Sequence, residues 1–278
     1  MPASFVVVPQ WQGSGSARAM RLVDGAEAIR GDLPAASTRL VDVPLESGDS
    51  RGTEIARFGS LLTVTERMTE MLAETSDDDW VLTIGGDCGV ALAAVDHALA
   101  RTGGDVAVVW FDAHPDLNTL ESSPSAAFSG MVLRTLLGDG IGPLIPATPL
   151  AAGRLVLAGV RSSDEGEDEF VSATAIRQLT VDDLADPAAL VAAVEATGAG
   201  SVYIHIDLDV LDPGELLGLS DPVPFGVTPA ALVAAVRALK GRFGLAGASI
   251  AGFSPASPDE ASDDLPTILR IIGALTAS

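Results

Sequence analysis

The chain carries one cysteine, Cys88, in 278 residues, so no intramolecular disulfide can staple it. Aromatic residues make up only 4%, which leaves Ala, Val, Leu and Ile to build the core. Basic residues are scarce as well. Sixteen Lys and Arg stand against 38 Asp and Glu, a formal net charge of −22. Nucleic acids and anionic membranes are held by cationic patches, so neither is an expected partner. No apolar run approaches the roughly 18 residues that read as a membrane span. The opening MPASFVVVPQWQGSG has neither the basic start nor the cleavage pattern of a signal peptide. These absences make the cytoplasm the expected compartment. The acidic runs EGEDE (165–169) and TSDDDW (75–80) read most simply as solvated surface.

What is present is an alternation of strand and helix patterns. Strands are predicted over 4–9, 39–44, 80–86, 105–112, 154–160, 202–209 and 245–253. Helices are predicted over 54–74, 90–100, 131–138, 181–198, 228–240 and 265–276. Thr228 is the expected N-cap of its helix, with Pro229 following it. Nearly continuous apolar strands separated by helices specify an α/β fold with a mainly parallel sheet covered on both faces. With no long linker or repeat, one domain is expected over residues 1–278. Sites in such sheets form beyond the carboxyl ends of the strands.

Three strands stop abruptly at metal-ligating side chains: VLTIGGDCG (81–89), VAVVWFDAHPDLN (106–118) and SVYIHIDLDVLDP (201–213). In DAHPD, Asp112, His114 and Asp116 sit at i, i+2 and i+4, which share one face of an extended segment. Carboxylate oxygen with imidazole nitrogen suits Mn²⁺ or Zn²⁺. In DLDVLDP, Asp207 and Asp209 again share a face, and Cys88 adds a thiol. Carboxylates this close raise one another's pKa unless a cation neutralises them. Two divalent cations roughly 3.5–4 Å apart would hold a shared water, lower its pKa and present hydroxide to an electrophilic carbon. The metal-free alternative is a set of protonated carboxylates sharing hydrogens.

Simpler readings stand beside these. One Asp-x-Asp at a strand end is as often solvated or a helix cap. Cys88 is either a ligand or a small buried thiol. His97 falls within a predicted helix and belongs to packing or solvent. His205 shares the face of Asp207 by strict alternation, so it is either a partner of a ligand or a core histidine. Trp110 and Phe111 pack the sheet. Gly85 and Gly86 make a tight turn.

In order and spacing, GGDCG, WFDAHPDLNT and HIDLDVLDP resemble the three signature segments of the ureohydrolases, the family of arginases, agmatinases and formiminoglutamases. The resemblance runs from about residue 80 to the C-terminus. It implies a three-layer α/β/α, arginase-like fold and a binuclear manganese centre, two Mn²⁺ per chain, with Zn²⁺ or partial occupancy as the alternatives. It implies hydrolysis of a guanidino or related amidine C–N bond by a metal-bridging hydroxide. Asp112 and Asp207 would bridge the metals. Asp116 and Cys88 would complete one, and His114 and Asp209 the other. Asn118 and Ser125 fall where arginases hold the α-carboxylate of the substrate. GVRSSDEGED (159–168) resembles the segment facing the α-amino group, which places Asp164 and Glu167 there; a solvated acidic turn is the plainer reading. Asp116, Asn118 and Ser129 are the catalytic positions on this reading. A small guanidino-type molecule is the implied partner, and a homo-oligomer, trimer or hexamer, the implied assembly.

The chain departs from the family at four positions. Cys88 stands where the family has histidine, and a thiolate is softer, favouring Zn²⁺ or Fe²⁺, and oxidisable. Ser129 replaces a proton-shuttling histidine, whose work near neutral pH a hydroxyl cannot do. Gly252 in IAGFSP replaces the glutamate that grips a guanidinium. Asp221 in LSDPVP (219–224) brings a new carboxylate, either a substitute cation-binding group or an exposed one. Restoring His at 88 and 129 and Glu at 252 is expected to raise arginase-like activity if these positions alone limit it. The departures point to a hydrolase that is not an ordinary arginase. The alternative is a degenerate, non-catalytic relative with a binding or scaffold role.

Overall fold

A strand such as VAVVWF has no polar side chain to turn towards water, so both faces of its sheet must be covered. The computed structural model shows how. It describes residues 3–76 and 78–277; Met1, Pro2, Asp77 and Ser278, and with them parts of the opening segment and of TSDDDW, lie outside the described residues. The strands are β1 (Ala3–Val8), β2 (Thr38–Leu40), β3 (Trp80–Gly85), β4 (Val106–Phe111), β5 (Leu155–Ala158), β6 (Arg177–Leu179), β7 (Ser201–Asp207) and β8 (Gly244–Ala251). They form one sheet in the order β2-β1-β3-β8-β7-β4-β5-β6, with every pairing parallel. The helices are α1 (Arg21–Gly31), α2 (Phe58–Ala73), α3 (Ala91–Thr102), α4 (Val132–Leu136), α5 (Glu165–Ala173), α6 (Pro187–Glu195), α7 (Pro229–Arg242) and α8 (Pro258–Thr276).

Alternation along the strands divides the core into two. Leu82, Val109, Ile204 and Ile206 face α1, α7 and α8 through Ile29, Leu232, Val236, Ile268 and Ile271. Val108, Trp110 and Tyr203 face α2, α3 and α4 through Val64, Met68, Val95, Leu99 and Leu133. Each fully buried Leu, Ile or Val contributes about 1.5–3 kcal/mol of transfer free energy, so both layers are firmly held. The expectation of a three-layer α/β/α fold with a parallel sheet is met.

Several element boundaries differ from the expected ones, each for a local reason. The helix expected over 181–198 starts only at Pro187, where the Asp186 side chain caps it by accepting from Ala188 N; residues 183–185 form a separate 3₁₀ turn. The helix expected from 54 starts at Phe58, because Glu54 and Arg57 are left-handed (φ 64° and 59°). The strand expected over 39–44 ends at Leu40, where its pairing with β1 ends. The closing helix begins at Pro258 rather than 265, capped by Ser257, and carries Pro266 inside it. Thr228 caps α7 as expected, accepting from Ala231 N at 3.2 Å. The acidic turn around 165 is the helix α5, and α1 and β6 had no counterpart among the expected elements.

β3 and β4 are consecutive strands in the chain, joined through α3, yet β8 and β7 lie between them in the sheet. The carboxyl ends of these four central strands therefore open a crevice, and the ligand-bearing segments stand at its edge.

Candidate metal centre

The floor of the crevice starts where β1 and β3 end. A Cβ at Gly86 would fall 1.7 Å from the Gln10 carbonyl oxygen, so only glycine lets the two turns meet. Asp87 then ties them together. Its carboxylate accepts from Gln10 Nε2 (2.9 Å), Gly13 N (2.8 Å) and Gly89 N (2.8 Å). Burial pushes this carboxyl up to about 6 even against those three donors. Asp87 thus acts as a structural knot that sets the position of the next residue, Cys88.

Cys88 is buried. Its Sγ lies 2.8 Å from Asp207 Oδ2 and 3.9 Å from Asp112 Oδ2. Burial pushes the thiol well up, and the charges of Asp207, Asp116 and Asp112 push it further. Asp112, just past β4, accepts from His114 N on Oδ1 (2.6 Å) and from Trp110 Nε1 on Oδ2 (3.1 Å). Trp110, expected only to pack, therefore also aims a carboxylate. His114 Nδ1 lies 3.0 Å from Asp209 Oδ2 and 3.5 Å from Asp112 Oδ1. Asp209 Oδ1 accepts from Ala113 N (3.0 Å), and Asp207 Oδ1 from Asp209 N (2.9 Å).

Asp116 takes a left-handed backbone (φ 53°) although it is not glycine. Such strain costs of order 1 kcal/mol or more and persists where the surroundings impose it. Its carbonyl accepts from Leu133 N (3.0 Å), which anchors the turn to α4. Among the described residues, no donor reaches the buried Asp116 Oδ2.

The electrostatics follow from burial. Burial pushes Asp207 and Asp209 up to about 7, with the neighbouring carboxylates adding to the effect. Asp112 is raised, and Asp116 well raised, by burial first and by their neighbours next. Burial opposes the charge on His114, yet Asp112 and Asp209 lift it to about 12. One imidazolium thus faces four buried carboxylates. A carboxylate with no donor, in a cluster short of positive charge, is the donor set a divalent cation fits.

Among the described residues, two groups have ligand atoms that lie within 4.8 Å of one another: Asp112, His114 and Asp209, and Cys88, Asp112 and His205. Asp112 belongs to both. Asp116 and Asp207 belong to neither, although both line the same cleft. Metal ligation by His205 was not among the sequence-derived expectations; strand alternation was the signal that put it on this face. The ring is fully buried, stacks on Trp110 at 3.5 Å, and is held by Ser249 Oγ, 2.7 Å from its Nδ1. Burial pushes it down to about 3, so it is neutral.

The remaining expected residues surround the mouth. Asn118, Ser125, Ser129, Asp164, Glu167 and Asp221 all line the cleft. Asn118 Nδ2 donates to Asp164 Oδ2 (2.8 Å), and Ser125 Oγ accepts from Ala127 N (3.2 Å). Both Glu167 oxygens are occupied by backbone donors, Leu117 N (2.8 Å) and Asp164 N (2.9 Å). The second bond is half of a capping box that starts α5. Asp221 stands on the rim, 80% exposed, 3.9 Å from His114 Nε2. Gly252 lies behind Asp207 with φ 84°. The rim loop is fixed by Arg161, whose guanidinium donates to the carbonyls of Asp209 (2.7 Å), Val223 (2.7 Å) and Pro224 (3.0 Å).

Known proteins share this arrangement of elements. An arginase of Entamoeba histolytica, solved with L-ornithine, superposes with a TM-score of 0.88 at 22% identity, covering 99% of this chain and 98% of that one. A formimidoylglutamase of Bacillus subtilis gives 0.75 at 19% identity, covering 99% and 87%. In sequence, an arginase of Staphylococcus aureus is 30% identical over 196 residues, which are 67% of this chain and 64% of that protein. The chain therefore aligns with less than two thirds of that relative's length. The family description "Arginase family" matches residues 19–268, a stretch that contains all three ligand-bearing strand ends, and the chain belongs to the arginase family.

Proposed function

We propose that this chain is a metal-dependent hydrolase that cuts a linear C–N bond in a guanidino or related amidine molecule, with a specificity unlike that of ordinary arginases. The observation that carries this reading is the buried Asp116 Oδ2, without a donor among the described residues, in a cleft that Asp112, His114, Asp207 and Asp209 also line. On this reading Cys88, Asp112, His114, Asp116, Asp207 and Asp209 hold two divalent cations, Mn²⁺ or Zn²⁺. Bound there, such a pair supplies positive charge and acidifies water for attack on an electrophilic carbon.

The protein's own groups set up the rest. Trp110 Nε1 and the amide of His114 fix the two oxygens of Asp112. Asp209 orients the His114 ring through Nδ1 and leaves Nε2 towards the rim. Asp164, held by Asn118, is the carboxylate on the wall able to receive a substrate ammonium. Glu167 supports that wall through backbone bonds and faces the ligand only indirectly. Ser129 has no imidazole to relay a proton, so within the proposed catalytic set of Asp116, Asn118 and Ser129 the carboxylate of Asp116 is the group able to accept one.

The conformation of Gly252 favours a second reading, in which the chain binds but does not turn over. No side chain there grips a guanidinium, and the backbone accommodates none. One experiment separates the two. Protein purified with added Mn²⁺ or Zn²⁺ is measured for metal content, then assayed for urea or ammonia release from a panel of guanidines and amidines. About two metals per chain with turnover on one member supports the hydrolase. Metal without any turnover supports the binding role, and protein that takes up no metal removes the hydrolase reading.

A further inference from the structure

His205 carries the only described imidazole besides His114 that comes within ligating range of the cluster. Its ring is fully buried. Ser249 Oγ lies 2.7 Å from Nδ1, and among the described residues no partner reaches Nε2. Trp110, stacked 3.5 Å away and tilted by only 18°, fixes the ring plane and gives its own Nε1–H to Asp112. A buried imidazole that is oriented on one nitrogen and idle on the other has the build of a metal ligand with its supporting hydrogen bond. A core histidine with no such role would leave a polar atom unpaired at a cost of about 1–3 kcal/mol.

The neighbours of His205 complete the argument. The thiol of Cys88 stands where a strand-end histidine is expected from the family resemblance. The imidazole missing from that position is present two strands away in the sheet, on β7. Ligand atoms of Cys88, Asp112 and His205 lie within 4.8 Å of one another.

We propose that His205 is a metal ligand, and that Cys88, Asp112 and His205 together form a sulfur–oxygen–nitrogen site for a borderline-soft divalent cation of the Zn²⁺ class. The inference rests on the reading of the crevice as a metal centre and gives one of its two sites a different ligand set. The thiol proton leaves to solvent as the cation binds, so the ligand is thiolate. Thiolate with imidazole selects Zn²⁺, Co²⁺ or Fe²⁺ over Mn²⁺, whereas Asp112, His114 and Asp209 provide the harder set.

The test uses the full chain and the metals alone. Co²⁺ added to the unsubstituted protein is expected to give the thiolate-to-cobalt charge-transfer band in the near ultraviolet, and Cys88→Ser to abolish it. The chain has three histidines in all, His97, His114 and His205. In Zn²⁺-loaded His114→Ala protein, X-ray absorption fine structure is therefore expected to show one sulfur and one imidazole on the zinc. His205→Gln is expected to weaken Zn²⁺ binding about tenfold or more in chelator competition, on the scale of losing a ligand or its support. Sulfur without imidazole in His114→Ala overturns the proposal. So does an imidazole signal that survives in His114→Ala combined with His205→Gln. If His205→Gln does not fold, the His114→Ala spectrum decides alone. A full chain that binds Mn²⁺ but shows no sulfur–imidazole site ends this inference and leaves the metal-centre reading standing. A chain that binds neither Zn²⁺, Co²⁺ nor Mn²⁺ ends both.

Discussion

Gly252 backs directly onto Asp207: a Cβ at residue 252 would fall 2.2 Å from Asp207 Oδ1. The residue also has φ 84°, a conformation that side chains with a Cβ resist. The glutamate of related enzymes therefore cannot be reinstated by one substitution. Gly252→Glu is expected to displace Asp207, cost about 1–3 kcal/mol from the strained conformation alone, and lower metal uptake. This corrects the expectation that Glu at 252 would help restore arginase-like turnover. Thermal unfolding and metal content of Gly252→Ala, which adds the Cβ without the charge, check the steric origin. Unchanged values in both would mean that the loop yields freely.

Asp112 is the one residue common to both groups of ligand atoms. Asp112→Ala removes a carboxylate from each and leaves Trp110 Nε1 without its acceptor. Metal content is expected to fall towards zero, with any turnover reduced by at least about 10²-fold, the scale of losing one preorganised electrostatic contact. A variant with full metal content and an unchanged rate would show that the crevice is not where the chemistry occurs.

The sequence reading and the structure agree most closely at the strand ends, for a physical reason. Asp112, Asp207 and Cys88 interrupt apolar runs, and the structure brings all three to the lining of one cleft. Local chemistry also revealed the cap at Thr228. What stayed hidden depends on tertiary partners. Glu167 is spent on the amides of Leu117 and Asp164, and no spacing predicts that Leu117 will come within reach. The short edge strand Arg177–Leu179 has a polar centre and is fixed only by pairing with Val156–Ala158. Trp110 and His205 look like core residues in one dimension. Only the pairing of Trp110 with His205 across adjacent strands turns them into a stacked pair beside the ligands.

Four buried carboxylates with one imidazole between them repel one another in the metal-free protein. A cation that binds only the folded state stabilises it by mass action, by about 2.7 kcal/mol at a free concentration 100 times Kd. At about 2–4 °C per kcal/mol for a chain of this size, saturating Mn²⁺ or Zn²⁺ is expected to raise Tm by roughly 5–10 °C per site. A chelator should reverse the shift. Calorimetry with Mg²⁺ as the comparison ion checks it, since a shift of equal size from Mg²⁺ would point to general screening of surface charge.

Arg161 offers a test of the rim rather than of the ligands. Its guanidinium spans carbonyls from two segments, Asp209 on one side and Val223 and Pro224 on the other. The second segment carries Asp221, whose carboxylate stands 3.9 Å from His114 Nε2. Arg161→Ala leaves those carbonyls unpaired and frees the loop, at an expected cost of about 1–3 kcal/mol in stability. Because Arg161 is a positioning residue and not one of the proposed ligands, KM should rise more than kcat falls, and metal content should hold. Arg161→Lys should rescue little, since one ammonium cannot reach across the fan of acceptors that the planar fork serves. Full rescue by lysine would reduce the role of Arg161 to its charge, and a loss of metal equal to that of Asp112→Ala would make the rim loop part of the centre itself.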